Sequence, residues 1–140
     1  MRQILLFAAL AASLALLSGC MLSKTKKDTP EDMTGKAAYH KLSAEEAYEM
    51  MSSQEVVVVD VRTREEYDGG HIENAVLVPN ESIGSETPEA LPDKDATLLV
   101  YCRSGRRSKD AAQKLLALGY QSVYDFGGVI DWPYELVKEG

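Results

Sequence analysis

An apolar, β-prone run, Leu98-Leu99-Val100-Tyr101, ends on Cys102. A short loop, Arg103-Ser104-Gly105-Arg106-Arg107-Ser108, leads from it into a helical stretch, Lys109 to Leu118, stopped by Gly119. No other stretch constrains the fold as tightly. A strand that enters a helix through a tight loop turns several backbone N–H groups inward and adds the positive end of the helix dipole. Such a bowl holds anions. A thiolate is itself an anion, so a cysteine at the lip is expected to ionise below the ordinary thiol range. The spacing points to a nucleophilic Cys102 in a cationic cradle. Arg103, Ser104, Gly105, Arg106, Arg107 and Ser108 would line it. A solvated basic turn is the plainer reading of the arginines. Their position beside a cysteine at a strand end, in a chain of net charge -7, favours the anion site.

The other segments complete an α/β pattern. Tyr39 to Leu42 reads as a short strand. Ser43-Ala44-Glu45-Glu46 carries the N-cap and the Glu three residues on that mark a helix start, predicting a helix to about Met51 with Ala47, Met50 and Met51 inward. Four consecutive valines, Val56 to Val59, suit a strand covered on both faces. A helical turn over Arg62 to Tyr67, capped by Thr63, ends at Gly69-Gly70, and Ala75 to Val78 forms a third strand. Residues 80–96 are polar and interrupted by Pro88 and Pro92, with a short helix expected around Glu89 to Leu91. Ser122 to Phe126 is the last strand, and a closing helix is expected from Val129 to Lys138. Strands separated by helical segments imply crossovers, hence a mostly parallel five-stranded sheet with helices on both faces. Ligands bind outside the carboxyl ends of such strands. Cys102, Asp60 with Arg62, and Asp125 all lie at or near such ends.

The amino-terminal residues have a different character. Arg2 precedes an apolar run from Ile4 to Leu17, too short to span a bilayer comfortably. The run ends Leu17-Ser18-Gly19-Cys20, which resembles the lipobox of bacterial lipoproteins. That resemblance implies a signal peptide over residues 1–19, removed before a diacylated and N-acylated Cys20, with a polar tether to residue 38. The domain would then lie outside the cytoplasm, anchored by its acyl chains (palmitate or similar) to the cell membrane or the outer membrane. The alternatives are an uncleaved signal anchor or cleavage at a neighbouring small residue. With one of the two cysteines at the leader boundary and the other in the loop, a disulfide scaffold is not expected. Acidity argues against nucleic-acid binding. Two isolated histidines offer no metal-ligand spacing, so no metal or other cofactor is expected.

Several separate motifs now converge. Asp60-Val61-Arg62 with Glu66-Tyr67, Gly70-His71-Ile72-Glu73-Asn74-Ala75 with Val78-Pro79, Cys102-Arg103-Ser104-Gly105-Arg106-Arg107-Ser108, and Gly127-Gly128 with Trp132 resemble, in order and spacing, the signatures of a single-domain rhodanese. The resemblance covers residues 39–140. It implies the rhodanese-like fold and a sulfurtransferase. Cys102 would take the sulfane sulfur of a small anionic donor, thiosulfate or a persulfide, and pass it to a thiol or to cyanide. Arg103 and Arg106 would attract the donor, and Arg107 would close the loop or pair with an acid. Ser108 would donate a hydroxyl proton or simply cap the helix. Asp60 and Arg62 would support the site as an ion pair. His71 has a structural reading, His40 a surface one and Trp132 a core one. A cysteine-dependent phosphatase or arsenate reductase of the same fold is the main alternative. Such a loop is C-x5-R, whereas here Arg107 makes C-x4-R and Ser108 occupies the arginine position. A non-enzymatic persulfide carrier or binding module is the third reading.

Overall fold

The computed structural model describes residues 37–139. The expected leader, Cys20 and most of the tether lie outside the described residues. Five strands build one sheet: β1 (Ala38–Lys41), β2 (Val57–Asp60), β3 (Val76–Leu77), β4 (Thr97–Cys102) and β5 (Ser122–Gly128). Their order is β1-β5-β4-β2-β3, and every pairing is parallel. The central strand, β4, is therefore the one that ends on Cys102. Its residues Leu98 to Tyr101 are completely buried, as a strand covered on both faces requires.

Three helices cover the sheet: α1 (Ala44–Ser53) and α2 (Arg64–Asp68) on one face, α3 (Arg106–Ala117) on the other. Both short helices start on a reciprocal cap. In α1, Ser43 Oγ accepts from the Glu46 amide while Glu46 accepts from the Ser43 amide. Thr63 and Glu66 do the same for α2. Side-chain alternation along the strands sorts two cores. Val59, Val61, Leu98, Val100, Cys102 and Val123 meet Ala111, Ala112 and Leu115 of α3. Val58, Leu99, Tyr101 and Phe126 meet Ala47 of α1 and Tyr67 of α2, with Met50 and Met51 packed against them.

Three sequence expectations are corrected. The Glu89 to Leu91 segment is a turn, not a helix, closed by the Leu91 amide on the Pro88 carbonyl at 3.0 Å. Pro88 and Pro92 lack amide protons, and a residue before proline avoids helical backbone. The ordered turn of this connection lies earlier, a 3-10 turn over Asn80–Ser82. The helix after the loop starts at Arg106 rather than Lys109, so Arg106, Arg107 and Ser108 form its first turn. The closing helix is only a 3-10 turn, Val129–Asp131. Trp132, which precedes Pro133, is extended (φ -77°, ψ 113°). The chain then runs irregularly back to His71, where the His71 and Val137 backbones exchange hydrogen bonds of 2.9 and 2.8 Å.

Candidate active site

The site forms where β4 ends and α3 begins. Gly105 occupies the N-cap position of α3 with φ 101°, a conformation that side chains resist. This turns the Gly105 amide back onto Cys102, and N–H to Sγ is 3.0 Å. The loop lies directly on β5. A Cβ at Gly128 would sit 2.6 Å from the Ser104 Cα and collide with the Arg103 carbonyl, so only glycine fits beneath the cradle.

Cys102 is 1% exposed. Burial is the largest single influence on its thiol and pushes it up. The donors grouped around it, Ser108 and the Gly105 and Ser104 amides, together outweigh burial and hold it below the ordinary thiol value. The bowl of donors read from the loop spacing thus has a direct electrostatic consequence.

The other candidate residues separate into groups. Arg103 and Arg106 are exposed at the loop rim. Arg106 and Arg107 line a cleft of about 380 Å³ with Asn80, Glu81 and Asp110. Arg103 borders another of about 310 Å³ with Arg62, Gly70, Val129, Ile130 and Leu136. The acid that Arg107 pairs with is Glu66. Its two terminal nitrogens donate to the two Glu66 oxygens at 2.8 Å each. This bidentate pair spans from α3 to α2, and the hydrogen bonds from Arg107 hold the Glu66 carboxyl down to about 2.

Ser108 is not the helix cap. It is completely buried in the first turn, and its Oγ lies 2.7 Å from Asp125 Oδ1, 3.0 Å from the Gly105 carbonyl and 3.3 Å from the Gly127 carbonyl. Asp125 is the residue that sequence reasoning left without a role. A usable signal existed: in Val123-Tyr124-Asp125-Phe126, alternation puts the aspartate on the Val123 side, which is the α3 side.

Asp60 and Arg62 are brought together, but not onto the sulfur. Asp60 lies alongside Tyr101, on the face opposite Cys102. Its carboxylate accepts from Arg62 Nε and Nη2 and, at 2.7 Å, from the Tyr101 hydroxyl. Arg62 also donates to the Gly70 carbonyl at 2.8 Å. This buried network ties strand ends together and leaves the sulfur to the α3 face. His71 is buried and stacked on Tyr67 at 3.6 Å, with Nδ1–H donating to the Tyr67 carbonyl. His40 is half-buried, stacked on Tyr124. Trp132 is also half-buried, packed at the edge of the second core, and its indole N–H has no partner among the described residues.

Comparisons with known proteins meet this geometry. The model of the rhodanese-like domain matches residues 43–133. A tRNA uridine(34) hydroxylase of Yersinia pestis is 31% identical over 106 residues, which is 72% of this chain and 30% of that protein. The chain thus spans under a third of the length of that curated relative. Among solved structures, a rhodanese with anions from E. coli superposes with TM-score 0.55 at 34% identity, covering 61% of this chain and all of that one. A human single-domain sulfurtransferase shares the fold, with TM-score 0.59 at 24% identity over 66% of this chain and 93% of its own.

Proposed function

The chain belongs to the rhodanese-like family, and from that premise we propose that it is a sulfurtransferase working through a Cys102 persulfide. The Cys102 thiolate attacks the outer sulfur of thiosulfate. The sulfur–sulfur bond of the donor breaks and sulfite leaves with the electron pair. The product is Cys102–S–S⁻, whose charge the Gly105, Ser104 and Ser108 amides stabilise as they did the thiolate. A thiophile, cyanide or a thiolate, then attacks the terminal sulfur. The bond to Cys102 breaks and the thiolate returns. Arg103 and Arg106, exposed at the rim, draw the anionic donor in. A persulfide donor on a small molecule would serve the same site.

The observation that carries this reading is the Cys102 Sγ held 3.0 Å from the Gly105 amide in a loop one residue shorter than a phosphatase needs. A phosphatase loop would also point its arginine at the equatorial phosphate oxygens, whereas both ends of the Arg107 fork are on Glu66. The net charge of -7 works against a polyanionic substrate, so the tRNA named for the Yersinia relative is not carried over. Purified protein should form thiocyanate from thiosulfate and cyanide, and Cys102→Ser should abolish it. Phosphate release from an aryl phosphate at an equal or greater rate would overturn the assignment. Persulfide loading without turnover to any acceptor would favour the carrier reading.

The same proposal includes the address read from Leu17-Ser18-Gly19-Cys20. Cys20 carries the lipid and tethers the domain outside the cytoplasm. An N-terminal peptide of the membrane-extracted protein with no lipid mass would rule this out.

A further inference from the structure

Two aliphatic side chains stay in solvent beside the cradle. Ile130 is 63% exposed, the most of any large hydrophobic among the described residues, and Leu136 is 40% exposed. Scattered surface hydrophobics are ordinary. These two share one cleft with half-buried Val129, the cleft of about 310 Å³ that Arg103 borders.

Backbone hydrogen bonds fix this apolar wall to the reacting residue. Cys102 pairs with Gly128 across β4 and β5. Ile130 lies two residues further on, and its amide donates at 3.2 Å to the carbonyl of Arg103, the residue after Cys102. Leu136 is held by the neighbouring His71–Val137 backbone bridge and lies against Gly70, where an added Cβ would be 3.7 Å from the Leu136 Cβ. The charged lining of the cleft is balanced, Arg62 and Arg103 against Glu65 and Glu66. Glu66 lines this cleft while its partner Arg107 lines the other one, whose remaining lining, Asn80, Glu81, Arg106 and Asp110, has no apolar side chain.

Neither thiosulfate nor cyanide has hydrocarbon surface to bury, so neither draws on Ile130 or Leu136. A thiol with an apolar body does. We propose that this cleft is an acceptor subsite: it seats the apolar body of a small organic thiol whose sulfur discharges the Cys102 persulfide, and Ile130 sets the preference. The subsite rests on the sulfur-transfer reading and adds the chemistry of its acceptor. The acceptor enters as its thiolate and attacks the terminal sulfur. The bond between that sulfur and Cys102 Sγ breaks, its electron pair returns to Cys102 as thiolate, and an organic persulfide leaves. Arg103, on the same rim, favours approach of the thiolate. The volume is at the small end of ligand pockets and suits a single ring or a short chain.

The test is discharge of a preloaded persulfide. The full chain is loaded with thiosulfate, freed of donor, mixed with benzyl mercaptan, 2-mercaptoethanol or cyanide, and quenched. Peptide-resolved mass spectrometry follows the Cys102 persulfide apart from Cys20. Ile130→Ser should slow discharge by benzyl mercaptan about fivefold more than discharge by 2-mercaptoethanol or cyanide, a fraction of what an enclosed hydrophobic pocket gives. Leu136→Ser should show the same split. Both side chains are exposed, so neither change opens a core cavity. Equal slowing of all three acceptors by both variants, or slowing of none, overturns the proposal. If thiosulfate leaves no persulfide on Cys102, the transfer reading fails, and the subsite beside Cys102 is tested alone by labelling. The Cys102 thiolate then attacks the benzylthio sulfur of benzyl methanethiosulfonate, the sulfur–sulfur bond breaks and methanesulfinate leaves. Unaltered protein should react faster with this reagent than with its methyl counterpart, and Ile130→Ser should reduce that preference about fivefold. A preference that Ile130→Ser leaves unchanged overturns the subsite on its own.

Discussion

Gly128 is the residue the cradle rests on. Replacing it with alanine puts a methyl 2.6 Å from the Ser104 Cα, and neither that atom nor the Arg103 carbonyl belongs to a flexible side chain. The loop must lift, which displaces the amides from Cys102. Gly128→Ala should therefore lower kcat/KM for thiosulfate by tenfold or more, on the order of the loss of one anion-stabilising donor. It should also cost about 1–3 kcal/mol of stability by urea unfolding, as overpacking does. A variant with normal turnover would show that the loop has room the geometry denies. Gly105 answers to a different constraint. Its φ of 101° disfavours any side chain, whatever the space around it.

At the scale of elements, the Arg107–Glu66 pair joins the first turn of α3 to the first turn of α2. Glu66 serves twice, as capping-box acceptor for Thr63 and as the partner of Arg107. Its carboxyl is held down to about 2 by Arg107. A depressed carboxylate contributes stability above its unfolded value, near 4.3, and loses that contribution as pH falls toward 2. Glu66→Gln should lower stability near neutral pH by about 1–2 kcal/mol, between the values of exposed and buried pairs. It should also flatten the decline of stability between about pH 4.3 and 2. Denaturant midpoints measured down that range check both. An unchanged acid limb would mean that the pair is broken in solution.

At the scale of the molecule, one buried network holds the sheet's carboxyl edge. Asp60 at the end of β2 takes the Tyr101 hydroxyl of β4, and its partner Arg62 reaches the Gly70 carbonyl. The Tyr101 hydroxyl in turn accepts from the Ile72 amide. Arg62→Met should cost about 3–5 kcal/mol, because it strands a buried carboxylate rather than removing a neutral contact. Chemical unfolding measures it, and a loss below about 1 kcal/mol would place the pair with exposed ones. His71 belongs to the same frame. Stacked on Tyr67 and paired through its backbone with Val137, it anchors the last residues of the chain where the expected helix does not form.

What the chain could say alone was whatever depends on neighbours in sequence. The caps at Ser43 and Thr63, the doubly covered valine strand and the strand–loop–helix at Cys102 are local, since hydrogen bonds and backbone preferences three or four residues apart decide them. Recurrent spacing also carried the family resemblance. The misread segments failed locally too. Pro92 and Pro133 outweighed apolar residues that looked helical, and Gly105 let α3 begin a turn early. The partners of the site residues depend on strand order, which no local pattern encodes. Because β4 lies between β5 and β2, Cys102 has Asp125 on its own face, while Asp60 turns to the opposite one. Packing across the sheet's carboxyl edge gave Arg107 to Glu66 and Ser108 to Asp125. Residues from 17 to 41 positions apart meet there, and only the tertiary fold decides which of them do.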